Sequence, residues 1–274
     1  MPEGGGVRQG NGAARAVDAW LLPCRALPFP RRCSPRRSRA RLGDAAHMDA
    51  AMSRVLLLHG IARTSASLAK LARSLESAGF RTLNLDYPSR KHSLADLVEH
   101  VHREAGPFLA GQGGQAHFVT HSMGSLLARA YIARYRPLSL GRVVMLAPPT
   151  TGSEIADLLA ARWLYKLVFG PAGQQLGTDG RLRGLLGTVD YPIGIIAGDR
   201  ALDPLGWLLL PRPNDGKVSV ARTKLAGMAD HVTLHATHAT TMRNAEVVRH
   251  TIRFLQSGSF ADDGVGLAGD ALGH

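Results

Sequence analysis

The stretch Ala116-His-Phe-Val-Thr-His-Ser-Met-Gly-Ser-Leu-Leu-Ala-Arg-Ala-Tyr-Ile-Ala-Arg134 changes character halfway along. Ala116–Thr120 reads as a short buried strand, and Met123–Arg134 returns its apolar residues at helical spacing. Ser122 therefore stands in the turn between a strand and a helix. Working outward, Arg54-Val-Leu-Leu-Leu58 is a continuous apolar run, the mark of a strand covered on both faces. A helical pattern from about Ser65 to Ala78 follows it, with Leu68, Leu71, Ala72 and Leu75 on one side and Gly79 as the stop signal.

The alternation continues. Arg81–Asp86 reads as a strand, Ser93–Leu109 as a helix capped by Ser93, Arg142–Ala147 and Ile193–Ala197 as strands, and Glu246–Gln256 as a last helix. Strands alternating with helices imply right-handed βαβ units, hence an α/β fold whose parallel sheet carries helices on both faces. The expected domain spans residues 48–260. Within it, Gly152–Thr188 interrupts the alternation as a small helical insertion, with Ile155, Leu158, Leu159, Trp163 and Leu167 at helical spacing. It packs on the sheet edge or forms a short lid.

The formal charge of +12 is uneven. Residues 1–47 hold nine arginines and three acids, which is half of it, and are rich in Gly and Pro without any period. Such a segment cannot bury an apolar face, so disorder is expected. Three readings stay open: translation starting at Met48 or Met52, a disordered tail, or a targeting segment. The apolar stretch Ala16–Phe29 is broken by Asp18, Pro23, Arg25 and Pro28, which argues against a secretory signal and for the cytoplasm. Residues 261–274 read as a flexible tail. Both cysteines, Cys24 and Cys33, lie in the first segment, so the body has no disulfide framework and no cysteine metal site. Aromatics are only 5% and no nucleic-acid motif appears, so nucleic acid is not the expected partner. No apolar run reaches the length of a membrane span.

A strand, a tight turn holding serine and a helix make a nucleophile elbow, in which the positions two before and two after the serine should be small. Gly124 meets that requirement; Thr120 does not obviously do so. At the end of the first strand, His59-Gly60-Ile61 stands where a backbone donor for a developing oxyanion is needed. Ile61 and Met123 are the expected donors, through their N–H groups, and His59 is read as shaping the turn. The base should follow in the order Ser, acid, His. His238, just before the last helix, is the first candidate and His235 the second. His231 and His235 are four apart, but Val232-Thr-Leu234 between them reads as strand, so no metal pair is expected. The acid lies among Asp199, Asp203 and Asp215: Asp199 directly follows the fifth strand, Asp215 sits in a turn feeding the strand-like Val218-Ser-Val220, and either also reads as a turn aspartate. Tyr87 and Arg90 follow the second strand and either face substrate or hold a loop.

Together these residues resemble a family. Leu58-His-Gly60, Asp86-Tyr-Pro-Ser-Arg90, Thr120-His-Ser-Met-Gly124, Pro149-Thr-Thr-Gly-Ser153, Asn214-Asp-Gly-Lys-Val218 and Thr237-His238 are similar to bacterial α/β-hydrolases of the small lipase/esterase type. The resemblance runs from about Arg54 to Phe260. It implies the α/β-hydrolase fold, Ser122 as nucleophile, His238 as base and, through the Asp-Gly-x-Val turn, Asp215 over Asp199 as acid. It implies a carboxylic-ester substrate, small or lipidic, and no cofactor. A threonine two before the serine occurs in such sequences. Ser125 departs from the commoner second glycine and implies a small change in helix packing. Thioester and amide substrates stay open, as do a non-catalytic ligand- or partner-binding scaffold and an interaction protein working through the basic segment. Oligomeric state is not legible.

Overall fold

The computed structural model describes residues 52–150, 181–202 and 210–261. The expected segment 1–47, the greater part of the insertion at 152–188, nearly all of the tail at 261–274 and the candidate Asp203 lie outside the described residues.

Six strands form one parallel sheet: β1 (Arg54–Leu58), β2 (Arg81–Leu85), β3 (Ala116–His121), β4 (Leu140–Leu146), β5 (Ile193–Gly198) and β6 (Asp230–Leu234). Their spatial order is β2-β1-β3-β4-β5-β6. The chain steps from β1 outward to β2 and then crosses back to β3, so the order reverses between β1 and β3. In such sheets ligands gather beyond the carboxyl ends of the strands at the reversal.

Strand side chains alternate between faces, and each face has its own core. Leu56, Leu58, Phe118, Val143, Met145, Ile193 and Ile195 face one cluster, shared with α2 (Leu94–Leu109) and α3 (Met123–Tyr135). Val55, Leu57, Val119, Val144, Leu146 and Ile196 face the other, shared with α1 (Ala69–Ser77) and the last helix, Ala245–Ser257. Two cores explain why β1 reads as an unbroken apolar run: all five of its residues are buried.

Helix ends follow local chemistry. Ser93 Oγ accepts from the Asp96 N–H at 3.0 Å while Asp96 accepts from the Ser93 N–H at 3.3 Å, a reciprocal capping box. Gly79, at φ 90°, ends α1: its own N–H bonds Glu76 O, and that of Phe80 bonds Leu75 O. That is a Schellman stop, which needs the left-handed conformation glycine adopts without penalty. The single helix expected from Ser65 begins instead as a 3₁₀ turn, Ser65–Leu68. The Ser67 hydroxyl donates to Thr64 O at 2.7 Å, and such local bonds compete with the α-helical ladder.

Two further short helices, α4 (Arg181–Leu186) and α5 (Val220–Thr223), and a 3₁₀ turn at Thr241–Arg243 precede the last helix, so that Ala245–Ser257 is α6. Val218–Val220, strand-like in sequence, does not form a strand. Ser219 makes an isolated bridge to Asn214, and the chain turns directly into α5. Among the described residues no helix is long and apolar enough to cross a membrane.

One buried histidine makes the fold acid-sensitive. The register between β3 and β4 shifts around His117, leaving the Arg142 N–H without a strand partner; His117 Nδ1 accepts it at 2.8 Å. Accepting requires an unprotonated nitrogen. Burial, and then the nearby Arg142 charge, push the His117 pKa from 6.5 down to about 4. The unfolded chain therefore binds a proton below 6.5 that the folded chain refuses. Stability contributed by neutral His117 is complete above 6.5 and is lost as pH falls towards 4, about 2 kcal/mol of it by pH 5. Urea unfolding at pH 7 and pH 5 is expected to show this loss, reduced in His117→Asn, whose amide oxygen keeps the bond to Arg142. An equal loss in both proteins would remove His117 as its source.

Candidate active site

The carboxyl ends of β1, β3, β5 and β6 bring the chemistry together. Ser122 follows β3 directly at φ 54°, ψ −122°, a conformation costing a non-glycine residue about 1–3 kcal/mol. It persists because both sides are tied: the Ser122 N–H bonds Leu146 O and the Ser125 N–H bonds Ser122 O, each at 2.9 Å. Gly124 is small for a specific reason. A Cβ there would stand 2.4 Å from Leu58 O and 2.7 Å from His59 O, so only glycine lets α3 start against the end of β1.

Thr120 and Ser125, the two departures from the usual elbow, are one feature. Their hydroxyls lie 2.8 Å apart in the buried interior, each supplying the partner the other needs. Together they place a hydrogen bond across the elbow. Without it the Ser125 hydroxyl would be buried unpaired, at about 1–3 kcal/mol, while Thr120 Oγ1 would keep its bond to Val144 O at 3.4 Å.

His238 Nε2 lies 3.1 Å from Ser122 Oγ, and His238 Nδ1 lies 2.8 Å from Asp215 Oδ2. Asp215 is almost fully buried, with its side chain 1% exposed. Its other oxygen, Oδ1, accepts from the Lys217 and Val218 N–H groups at 2.9 and 2.7 Å, and its backbone O accepts from the His238 N–H. The carboxylate is thus an Asx turn and an imidazole acceptor at once. Gly198, at the end of β5, makes room for this: a Cβ would meet Ala236 O at 2.4 Å and Asp215 Cβ at 2.9 Å. The only signal of this in the sequence is a glycine closing a strand, which marks close backbone approach.

The alternative acid and base are also brought together, but with each other. Asp199 Oδ1 lies 3.0 Å from His235 Nδ1, with side chains 36% and 70% exposed. His231 instead bonds the Thr223 hydroxyl.

Around the serine, Gly60 presses against the elbow. A Cβ on it would lie 2.9 Å from His121 Nδ1 and 3.2 Å from Ser122 Cβ. Ile61 follows Gly60, and Met123 follows the serine. Two buried histidines hold this corner. His59 donates Nδ1–H to Gly60 O at 2.8 Å, the carbonyl of the peptide that carries the Ile61 N–H, and its Nε2 accepts the Tyr87 N–H. The Tyr87 ring stacks on His59 and its hydroxyl bonds His59 O, so Tyr87 holds the loop while Arg90 is exposed. His121 donates Nε2–H to His238 O at 3.0 Å, linking elbow and histidine loop. Burial lowers the pKa of both, that of His121 most, so both stay neutral and put no cation beside the serine.

A model of the alpha/beta hydrolase fold matches residues 53–172. The chain has the α/β-hydrolase fold. Solved structures share it at low identity, and three illustrate the range. A Bacillus licheniformis lipase, BlEst2, in its mature form is 19% identical, with 70% of this chain and 87% of that one covered at a TM-score of 0.54. Est1E from Butyrivibrio proteoclasticus is 15% identical, with 76% and 88% covered at 0.55. Phospholipase PlaB from Legionella pneumophila is 18% identical, with 76% and 59% covered at 0.53. No curated protein matches this sequence. The six parallel strands and the elbow after β3 are the elements by which this chain displays the α/β-hydrolase fold.

Proposed function

We propose that the protein is a serine hydrolase that cleaves carboxylic esters, of lipase or esterase type, through an acyl-enzyme on Ser122. The observation that carries this reading is the unbroken chain Ser122 Oγ, His238 Nε2, His238 Nδ1, Asp215 Oδ2 at 3.1 and 2.8 Å. The serine hydroxyl donates to Nε2, which requires the proton of neutral His238 to sit on Nδ1, where the buried carboxylate accepts it. His238 takes the Ser122 proton as Oγ attacks the acyl carbon, and Asp215 stays ionised and steadies the imidazolium. The Ile61 and Met123 N–H groups meet the oxyanion; neither has a partner among the described residues. His238 then passes its proton to the departing alkoxide, and the alcohol leaves. Water attacks the acyl-enzyme with His238 again as base, freeing the acid and restoring Ser122.

The test is covalent labelling. A fluorophosphonate probe is expected to modify Ser122 alone, in competition with p-nitrophenyl esters, and a series of acyl lengths then ranks substrates. An unlabelled, folded protein that turns over no ester would sink the proposal and favour a non-catalytic scaffold.

A further inference from the structure

The Asp199–His235 pair takes no part in that chemistry, yet it stands at an organised place. Behind the loop that carries His238, a cleft of about 240 Å³ is lined by Arg200, His235, Ala236, Thr237, Thr240, Arg243 and Asn244. Apart from Ala236 every lining residue is polar, and none is a carboxylate. Arg200 and Arg243 are exposed, and neither has an ion-pair or hydrogen-bond partner for its guanidinium among the described residues. A third cation stands close by, since Lys70 Nζ donates to Arg243 O at 2.9 Å. Against these, Asp199 already accepts from His235, and Glu246 pairs with Arg249 at 3.5 Å.

The other polar groups are held in place. His235 donates Nδ1–H to Asp199, so Nε2 of the neutral ring is left as an acceptor, suited to a protonated phosphate oxygen. Thr237 and Thr240 bond each other at 2.8 Å, and Asn244 is anchored because its Oδ1 accepts the Glu246 and Val247 N–H groups. Two unpaired guanidiniums with hydroxyls and an imidazole around one small volume suit a compact anion with several oxygens. Planar guanidinium forks match phosphate oxygens two at a time.

We propose that this cleft is a binding site for a phosphate group, distinct from the Ser122 centre. Arg200 and Arg243 supply the charge, and Thr237, Thr240 and His235 orient the oxygens. The phosphate belongs either to a soluble ion or ester, or to the headgroup of an anionic lipid. Its wall is the Thr237–Thr240 turn on which His238 sits, so a bound phosphate rests against the segment that positions the proposed base.

The full chain is titrated at low ionic strength with inorganic phosphate by calorimetry, and separately with vesicles of phosphatidylcholine with and without phosphatidic acid. Saturable phosphate binding is expected, weakened at least about tenfold in Arg200→Gln/Arg243→Gln, since each charge-assisted bond contributes strongly. Both side chains are exposed, so the unliganded variant is expected to melt with the wild type; the single variants, with intermediate losses, serve if it does not. Binding of phosphatidic acid vesicles alone, lost in the same variants, supports the site and assigns the lipid headgroup. Absence of saturable binding to both, or binding indifferent to the arginines, overturns it. Neither arginine touches Ser122, Asp215 or His238, so this failure leaves the hydrolase proposal standing, and failed probe labelling leaves the cleft standing.

Discussion

Ser122→Ala is expected to lower kcat for a p-nitrophenyl ester by roughly 10⁴–10⁶-fold while leaving the protein folded. The oxygen removed is the one 3.1 Å from His238 Nε2, and nothing else within that hydrogen-bond chain can form the acyl bond. Activity should not fall to that of water, because the amides of Ile61 and Met123 still meet an oxyanion; a residue of about 10³-fold over the uncatalysed rate is expected. Stability should hold or rise slightly, since alanine tolerates φ 54° no worse than serine and leaves no buried hydroxyl behind. Undiminished hydrolysis in a variant with unchanged melting would remove Ser122 as nucleophile.

Asp215→Asn is expected to cost about 10⁴-fold in kcat, close to 5 kcal/mol of transition-state stabilisation. The reason lies in how the carboxylate is held. Its Oδ1 accepts two backbone N–H groups, at Lys217 and Val218, and an asparagine must offer its only side-chain oxygen to them. That leaves the amide NH₂ facing His238 Nδ1, which must then become an acceptor. The histidine proton moves to Nε2, and the ring can no longer take a proton from Ser122. Asp199→Asn is the control: its exposed pair with His235 is worth little, so kcat should stay within about twofold. Equal losses in the two variants, or the larger loss at Asp199, would reverse the assignment.

The fold was largely legible because its signals are local and redundant. Each strand buried on two faces must be apolar throughout, and each helix must show an apolar stripe, whatever the rest of the chain does. Boundaries were legible where a side chain sets them, as with the capping box at Ser93 and the left-handed Gly79. They failed where two local patterns compete. Ser67 tightened the start of the first helical segment, and Val218–Val220 looked like a strand although the Asp215 turn feeds it into a helix.

The site was legible only in part. Ser122 announced itself because the elbow is continuous in sequence, and Ile61 and Met123 were readable as neighbours of a strand end and of the serine. Choosing between Asp215 and Asp199, or between His238 and His235, was beyond the residues alone and leaned on a family resemblance. Each of the four is a plausible loop residue near the end of a parallel strand. Gly198 and the Thr120–Ser125 pair were missed for a related reason, since a close approach between distant segments leaves no periodic trace.

By itself, then, the sequence determined a parallel α/β sheet with a strained serine after its third strand, because burial pattern and turn chemistry act over a few residues. Only the tertiary structure decided which acid meets which histidine. Asp215 and His238 lie 23 residues apart, and His238 and Ser122 lie 116 apart. Distances of about 3 Å across such separations are set by how β5 and β6 stack beside β3, and by the space Gly198 leaves between their loops.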